Sequence, residues 1–203
     1  MKFVIRGLCL ISIFLLSEFS IADETCMSPY MKKITGQEDF VYVWTLGVEG
    51  LGDEQDKLVT ISVNPSSNKY GSVINSLSVG SRNEAHHSGL TDDRMYLWAS
   101  GLESNRIFIF DVHSDPAKPT LHRTIEDFVD KSNGVVGPHT SYALPGRMLI
   151  TGLSNSTDSG GTTGLVEYTN EGEYITTHWM PKDGFLNGAG KSGQFADGYG
   201  YDV

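Results

Sequence analysis

Hydrophobic and polar positions along this chain fall into short runs. From Phe40 onward, apolar, β-branched and aromatic stretches alternate with clusters of Gly, Asn, Asp, Ser and Pro. No stretch holds the sustained 3.6-residue period of an amphipathic helix, so the pattern predicts an all-β chain. Phe40–Leu46, Lys57–Val63 and Ser72–Val79 form one triplet of strands, with a polar turn over Asn64–Lys69. Met95–Ser100, Arg106–Val112 and Thr120–Ile125 repeat it, with Ser114–Pro119 in the place of that turn. Met148–Gly152, Gly164–Thr169 and Tyr174–Trp179 repeat it again, with Asn170–Glu173 as the tight turn. The middle strands begin at 57, 106 and 164, giving periods of 49 and then 58 residues.

An antiparallel unit at that spacing predicts a β-propeller, whose blades are small sheets that bury their faces against one another. Three blades do not close a ring, and a free arc would leave an apolar blade face open at each end. The last residues, Tyr199–Val203, resemble the start of a fourth blade's first strand. The expectation is therefore that residues 23–203 are the N-terminal part of a larger propeller. A complete nine-stranded β-sandwich is the competing architecture.

Composition narrows the function classes. Lys and Arg total 15 against 25 Asp and Glu, a formal charge of −10, which argues against nucleic acid and anionic membranes as partners, since both select for basic surfaces. Residues 1–22 read as a secretory signal: Lys2 and Arg6 open it, Gly7–Leu16 is mostly apolar, and Ser20, Ile21 and Ala22 suit a cleavage site. Its apolar core is short for a membrane span. Cleavage would remove two positive charges and one negative, moving the net charge from −10 to −11. Cys9 would leave with the signal. The exported chain would then carry one thiol, Cys26, and no internal disulfide.

Six histidines are candidates for chemistry: His86, His87, His113, His122, His139 and His178. His87 lies eight residues before Met95, and His139 nine before Met148, so the His86-His87 pair and His139 occupy equivalent places in two repeats. The segment leading into a blade's first strand lies near the mouth of the central channel, where residues distant in sequence converge. Neutral imidazole is the commonest protein ligand for copper or zinc, and His86, His87 and His139 are the candidate metal ligands. The alternative is that each bonds to backbone and closes its blade. His113 lies at a strand end, and His122 and His178 lie in outer strands, as surface residues.

The chain has no nucleophile elbow, phosphate loop, HExxH or dinucleotide fingerprint. Gly160–Gly164 joins two strands rather than opening a helix, and Gly184–Gly193 reads as an inter-blade loop. Asp92, Asp93, Asp197 and Asp202 offer carboxylates for calcium, although Asp in turns usually caps backbone. No residue is assigned a catalytic role from the sequence.

The order of motifs resembles one family. His86-His87-Ser88-Gly89 is followed by Arg106–Val112, then by Asp115-Pro116 and Pro119-Thr120-Leu121-His122. Pro138-His139-Thr140-Ser141, Gly164-Leu165-Val166 and Gly200-Tyr201-Asp202 continue the series, which begins near Cys26. This order is similar to that of the selenium-binding protein / methanethiol oxidase family. The resemblance implies a seven-bladed propeller, of which this chain would hold about three blades. Bacterial members with a secretion signal resemble periplasmic copper enzymes that oxidise methanethiol with dioxygen and water to formaldehyde, hydrogen sulfide and hydrogen peroxide. It thus implies copper at His86, His87 and His139, with a small thiol and dioxygen as partners and no membrane partner after signal cleavage. A homo-oligomer stays open.

Two departures bear on the site. The family often has His-Thr-x-His, and here the second histidine's place is Tyr142. The selenium-associated Cys of animal members would fall after Tyr70, where this chain has Gly71, so selenium binding through that thiol is not expected. The competing function is a non-catalytic propeller scaffold that binds selenium, other soft ligands or a partner protein.

Overall fold

The computed structural model describes residues 28–157, 162–180 and 200–201. The signal segment, Cys26, Gly160, Gly161, the 184–193 loop, Asp197 and Asp202 lie outside the described residues. Among the described residues, eleven strands form three antiparallel sheets. The first contains β1 (Phe40–Thr45), β2 (Lys57–Ser62) and β3 (Val73–Ser78), in that order. The second runs β4 (Ala85–Leu90), β5 (Tyr96–Gly101), β6 (Arg106–Asp111) and β7 (Thr120–Ile125). After a one-turn helix, α1 (Phe128–Lys131), the third runs β8 (Val135–Leu144), β9 (Arg147–Asn155), β10 (Gly164–Thr169) and β11 (Tyr174–Trp179). These are three blades of a β-propeller, and the two-sheet sandwich is excluded by the sheet count.

Burial explains why the sequence shows so little alternation in the middle blade. In β6 all four of Ile107, Phe108, Ile109 and Phe110 are buried. Ile107 and Ile109 join Trp98, Val135, Met148, Ile150, Val166 and Tyr168 in one core, and Phe108 and Phe110 join Leu58, Leu97, Ala99 and Val112 in another. A blade covered on both faces needs apolar residues at every position, and each fully buried large side chain contributes about 1.5–3 kcal/mol. Indole hydrogen bonds cross both seams: Trp44 Nε1–H donates to the Ser100 carbonyl (3.0 Å) and Trp98 Nε1–H to the Asn170 carbonyl (3.1 Å).

The repeat extends to its irregularities. The pairing of β2 with β3, β6 with β7 and β10 with β11 slips by one residue in each blade, between Thr60 and Ile61, Ile109 and Phe110, and Glu167 and Tyr168. The matched slips align β1, β5 and β9, the strands read from sequence as the first of each blade. In the second and third blades, however, each lies second, because β4 and β8 pair outside them on the inner edge. The segments carrying His86, His87 and His139 are therefore strands, not lead-in loops.

Candidate metal centre

Successive side chains of a regular strand point to opposite faces, so adjacent histidines would ordinarily diverge. A bulge changes this by setting two residues against one on the partner strand. In β4, Ala85 pairs with Gly101 and Ser88 with Ala99, leaving His86 and His87 opposite the single residue Ser100. In β8, Pro138 pairs with Gly152 and Ser141 with Ile150, leaving His139 and Thr140 opposite Thr151. The two bulges are equivalent, and they place His86-His87 and His139-Thr140 at the same point of neighbouring blades.

The blades approach closely there. An added Cβ on Gly89 would lie 3.1 Å from both the Cβ and the carbonyl oxygen of Ser141, so the absence of a side chain lets β4 lie against β8. The three imidazoles converge as a result. Ring centroids are 4.8 Å apart for His86 and His87, 4.5 Å for His86 and His139, and 4.3 Å for His87 and His139. Their ligand atoms all lie within 4.8 Å of one another, and the Nε2 atoms of His86 and His139 are 2.8 Å apart. His139 is completely buried, His87 half-buried and His86 exposed, so one wall of the site is fixed and the other opens to solvent.

The donor set fits a copper or zinc ion. Three nitrogens bonded at about 2.0–2.1 Å to one ion lie about 3.3–3.6 Å apart in tetrahedral or trigonal geometry, and ring shifts of about 1 Å would bring this cluster, with one pair now at 2.8 Å and all ligand atoms within 4.8 Å, to that spacing. Partial desolvation of its ring first, and the neighbouring His87 second, hold the His86 pKa below the usual histidine value, with Glu84 opposing them. That favours the neutral form a metal requires.

The other histidines lie apart from this group. The His113 backbone N–H donates to Asp111 Oδ1 (2.9 Å), and its side chain is exposed. His122, also exposed, is the extra residue in the β7 slip and stacks on Tyr96 at 4.6 Å. His178 Nε2 lies 2.7 Å from Glu167 Oε2 on the third blade. Asp92 Oδ1 accepts from Asn170 Nδ2 (2.8 Å) in the next blade, and Asp93 Oδ1 accepts from the Thr91 hydroxyl (2.6 Å) and the Met95 N–H (2.9 Å), so one carboxylate bridges blades and the other holds a turn. Gly71 holds a left-handed turn at φ +75°.

Tyr142 sits on β8 opposite Leu149, beyond the bulge. A second tyrosine, which sequence reasoning did not assign to the site, touches it directly: the Tyr201 ring stacks on His139 at 4.3 Å. Its carbonyl accepts hydrogen bonds from the hydroxyls of Thr140 (3.2 Å) and Thr151 (3.1 Å). The sequence signal was only its place in Gly200-Tyr201-Asp202, and nothing local ties that segment to β8.

Comparison with known proteins gives a consistent family. The family described as 56kDa selenium binding protein (SBP56) matches residues 21–187. A protein of Ruegeria pomeroyi named methanethiol oxidase is 65% identical over 185 residues, covering 91% of this chain and 42% of that protein. Another of that name, from a Hyphomicrobium species, is 55% identical over 205 residues, covering 100% of this chain and 44% of that protein. This chain therefore spans about two fifths of the length of these relatives. Among solved structures, a hypothetical selenium-binding protein of Sulfolobus tokodaii superposes with a TM-score of 0.64 at 23% identity, over 73% of this chain and 38% of that one. That likeness supports the propeller fold.

Proposed function

The chain belongs to the 56 kDa selenium-binding protein family, and from that premise we propose that it is part of an exported, copper-dependent methanethiol oxidase. The reaction would consume methanethiol, dioxygen and water and yield formaldehyde, hydrogen sulfide and hydrogen peroxide. Two relatives at 65% and 55% identity bear the name of that enzyme. The observation that carries the reading is the convergence of His86, His87 and His139, from two blades, to within 4.8 Å.

His86, His87 and His139 are the residues that would hold the metal. Copper there would supply redox chemistry and affinity for a thiolate, whereas zinc would bind the same nitrogens without carrying electrons. His139, buried and stacked, supplies the rigid side of the site. His86 and His87 supply the open side, by which a small neutral thiol reaches it. The acidic surface does not oppose such a substrate. The signal-like residues 1–22 support export to the periplasm.

The full-length protein tests this directly. It is expected to bind copper and to release hydrogen sulfide from methanethiol; a folded, copper-loaded protein inert to methanethiol would sink the proposal. The scaffold reading draws support from the 2.8 Å contact between His86 and His139, which joins two blades without a metal. Replacing His86 and His87 by Ala separates the two. Loss of metal with unchanged thermal stability supports the metal site, and unfolding of a protein that held no metal before substitution supports the scaffold.

A further inference from the structure

Hydrogen-bond accounting around Thr140 assigns a proton. The Thr140 hydroxyl lies 3.2 Å from the carbonyl oxygen of Tyr201 and 3.1 Å from Nδ1 of His139. A carbonyl only accepts, so the contact with Tyr201 requires the hydroxyl's single proton to point there. The hydroxyl then meets His139 through a lone pair, and Nδ1 must carry the hydrogen. In a neutral ring this leaves Nε2 of His139 unprotonated and facing His86 Nε2 at 2.8 Å.

We propose that Thr140 is a positioning residue that fixes His139 in its Nδ1–H tautomer, so that Nε2 is the atom offered to the metal, and that the Tyr201 carbonyl holds Thr140 in this role. The proposal rests on the reading of His86, His87 and His139 as a metal site. Three further observations support it. Thr140 occupies the place in the β8 bulge that His87 occupies in β4, so a polar residue there lies beside the cluster without adding a fourth imidazole. Thr151 reinforces the arrangement: its hydroxyl accepts from the Thr140 N–H (2.9 Å) and donates to the same Tyr201 carbonyl (3.1 Å). Finally, Gly200 N–H donates to the Leu153 carbonyl (3.2 Å), and an added Cβ on Gly200 would lie 2.6 Å from the Gly152 carbonyl oxygen. Only glycine lets the chain come close enough to β9 to bring the Tyr201 carbonyl onto both threonines.

Orientation of a metal-binding histidine by a bond to its other ring nitrogen commonly changes metal affinity by about 10–100-fold. The test uses full-length protein and two readouts. Nitrogen-15 NMR of the metal-free protein, under conditions that keep the imidazoles neutral, is expected to show His139 protonated on Nδ1. Thr140→Val, which keeps the shape and loses the hydroxyl, is expected to mix the tautomers, and Thr140→Ser to preserve the wild-type pattern. Gly200→Ala, which leaves the hydroxyl and displaces its acceptor, is expected to resemble the valine variant. Copper(I) competition against a chromophoric chelator should then show roughly tenfold weaker binding for T140V and near wild-type binding for T140S.

A wild-type His139 protonated on Nε2, or a T140V spectrum identical to wild type in a folded protein, overturns the proposal. A wild-type protein that shows the expected tautomer yet binds no copper overturns the metal reading instead and leaves the Thr140 assignment supported.

Discussion

The Nε2 atoms of His86 and His139 lie 2.8 Å apart although 53 residues separate them in sequence, and each reaches that point from the bulge of an innermost strand. Two nitrogen lone pairs repel at such a distance unless a proton or a cation lies between them. The contact is thus a joint between the second and third blades and, on the reading above, the place where a metal would replace a proton.

The two partners should differ in their structural importance. His86 is exposed and His139 completely buried. His86→Ala loses only the contact with His139 Nε2 and is expected to cost about 0.5–1.5 kcal/mol. His139→Ala opens a space behind Tyr201 and leaves the Thr140 hydroxyl short of a donor, for a loss of roughly 2–3 kcal/mol. Both should abolish tight copper binding. Urea unfolding of the metal-free variants measures the difference, and equal losses would contradict the burial argument.

Close approach of the inner strands gives a second expectation. Because a Cβ on Gly89 would lie 3.1 Å from both Cβ and the carbonyl oxygen of Ser141, Gly89→Ala must push β4 away from β8. Overpacking of this kind costs about 1–3 kcal/mol, and the displacement would separate His86 and His87 from His139. A G89A protein with wild-type stability and wild-type copper affinity would show that the inner strands are not held this tightly.

Much of this architecture was legible in the sequence, and the exceptions share a cause. The nine strands read from apolar runs all exist, and the more central of them carry the side chains that fill the seams between blades, as Ile107 to Phe110 do. The strands β4 and β8 were missed because few of their residues, Val135 and Ala143 among them, belong to an apolar core, and polar, small and histidine residues interrupt the rest. Gly89 is small so that two strands can approach, and the bulges at His86-His87 and His139-Thr140 break the alternation that marks a strand. The equivalence of His86-His87 with His139 was readable from spacing, but their convergence depends on strand register. The helix α1 has four residues, too few to show a period, and is held by the buried Phe128. Tyr201 enters the site through both its ring and its backbone carbonyl, and no local pattern ties it to β8.

Part of the acid sensitivity should arise in the third blade. Glu167 is buried on β10, where its carboxylate is bonded by His178 and by Arg147. The hydrogen bond from His178 first, and the bond and charge of Arg147 besides, hold its pKa below the ordinary glutamate value against the effect of burial. A carboxyl whose folded pKa is depressed stabilises the fold above its unfolded value, about 4.3, and that stability is lost as pH falls through the folded pKa. Glu167→Gln is expected to lower stability by about 1–2 kcal/mol at neutral pH and to flatten the pH dependence below about 4.3. Urea midpoints across that acidic range check the sign; a variant as acid-sensitive as the parent would assign the loss to other carboxylates.

Metal binding should also appear as stability, because the proposed ligands come from two blades. An ion that binds only the folded protein adds about 2.7 kcal/mol when its free concentration is one hundred times its dissociation constant. Copper, held at a fixed free level by a chelator buffer, is therefore expected to raise the unfolding free energy of the full-length protein by that amount, and to leave the His139→Ala variant unchanged. Zinc at the same ratio to its own dissociation constant should stabilise equally, since the linkage depends on occupancy and not on redox chemistry. Only the copper-loaded protein should then form hydrogen sulfide from methanethiol. Equal turnover with zinc would remove electron transfer at this site from the mechanism, and stabilisation of His139→Ala by copper would place the ion elsewhere.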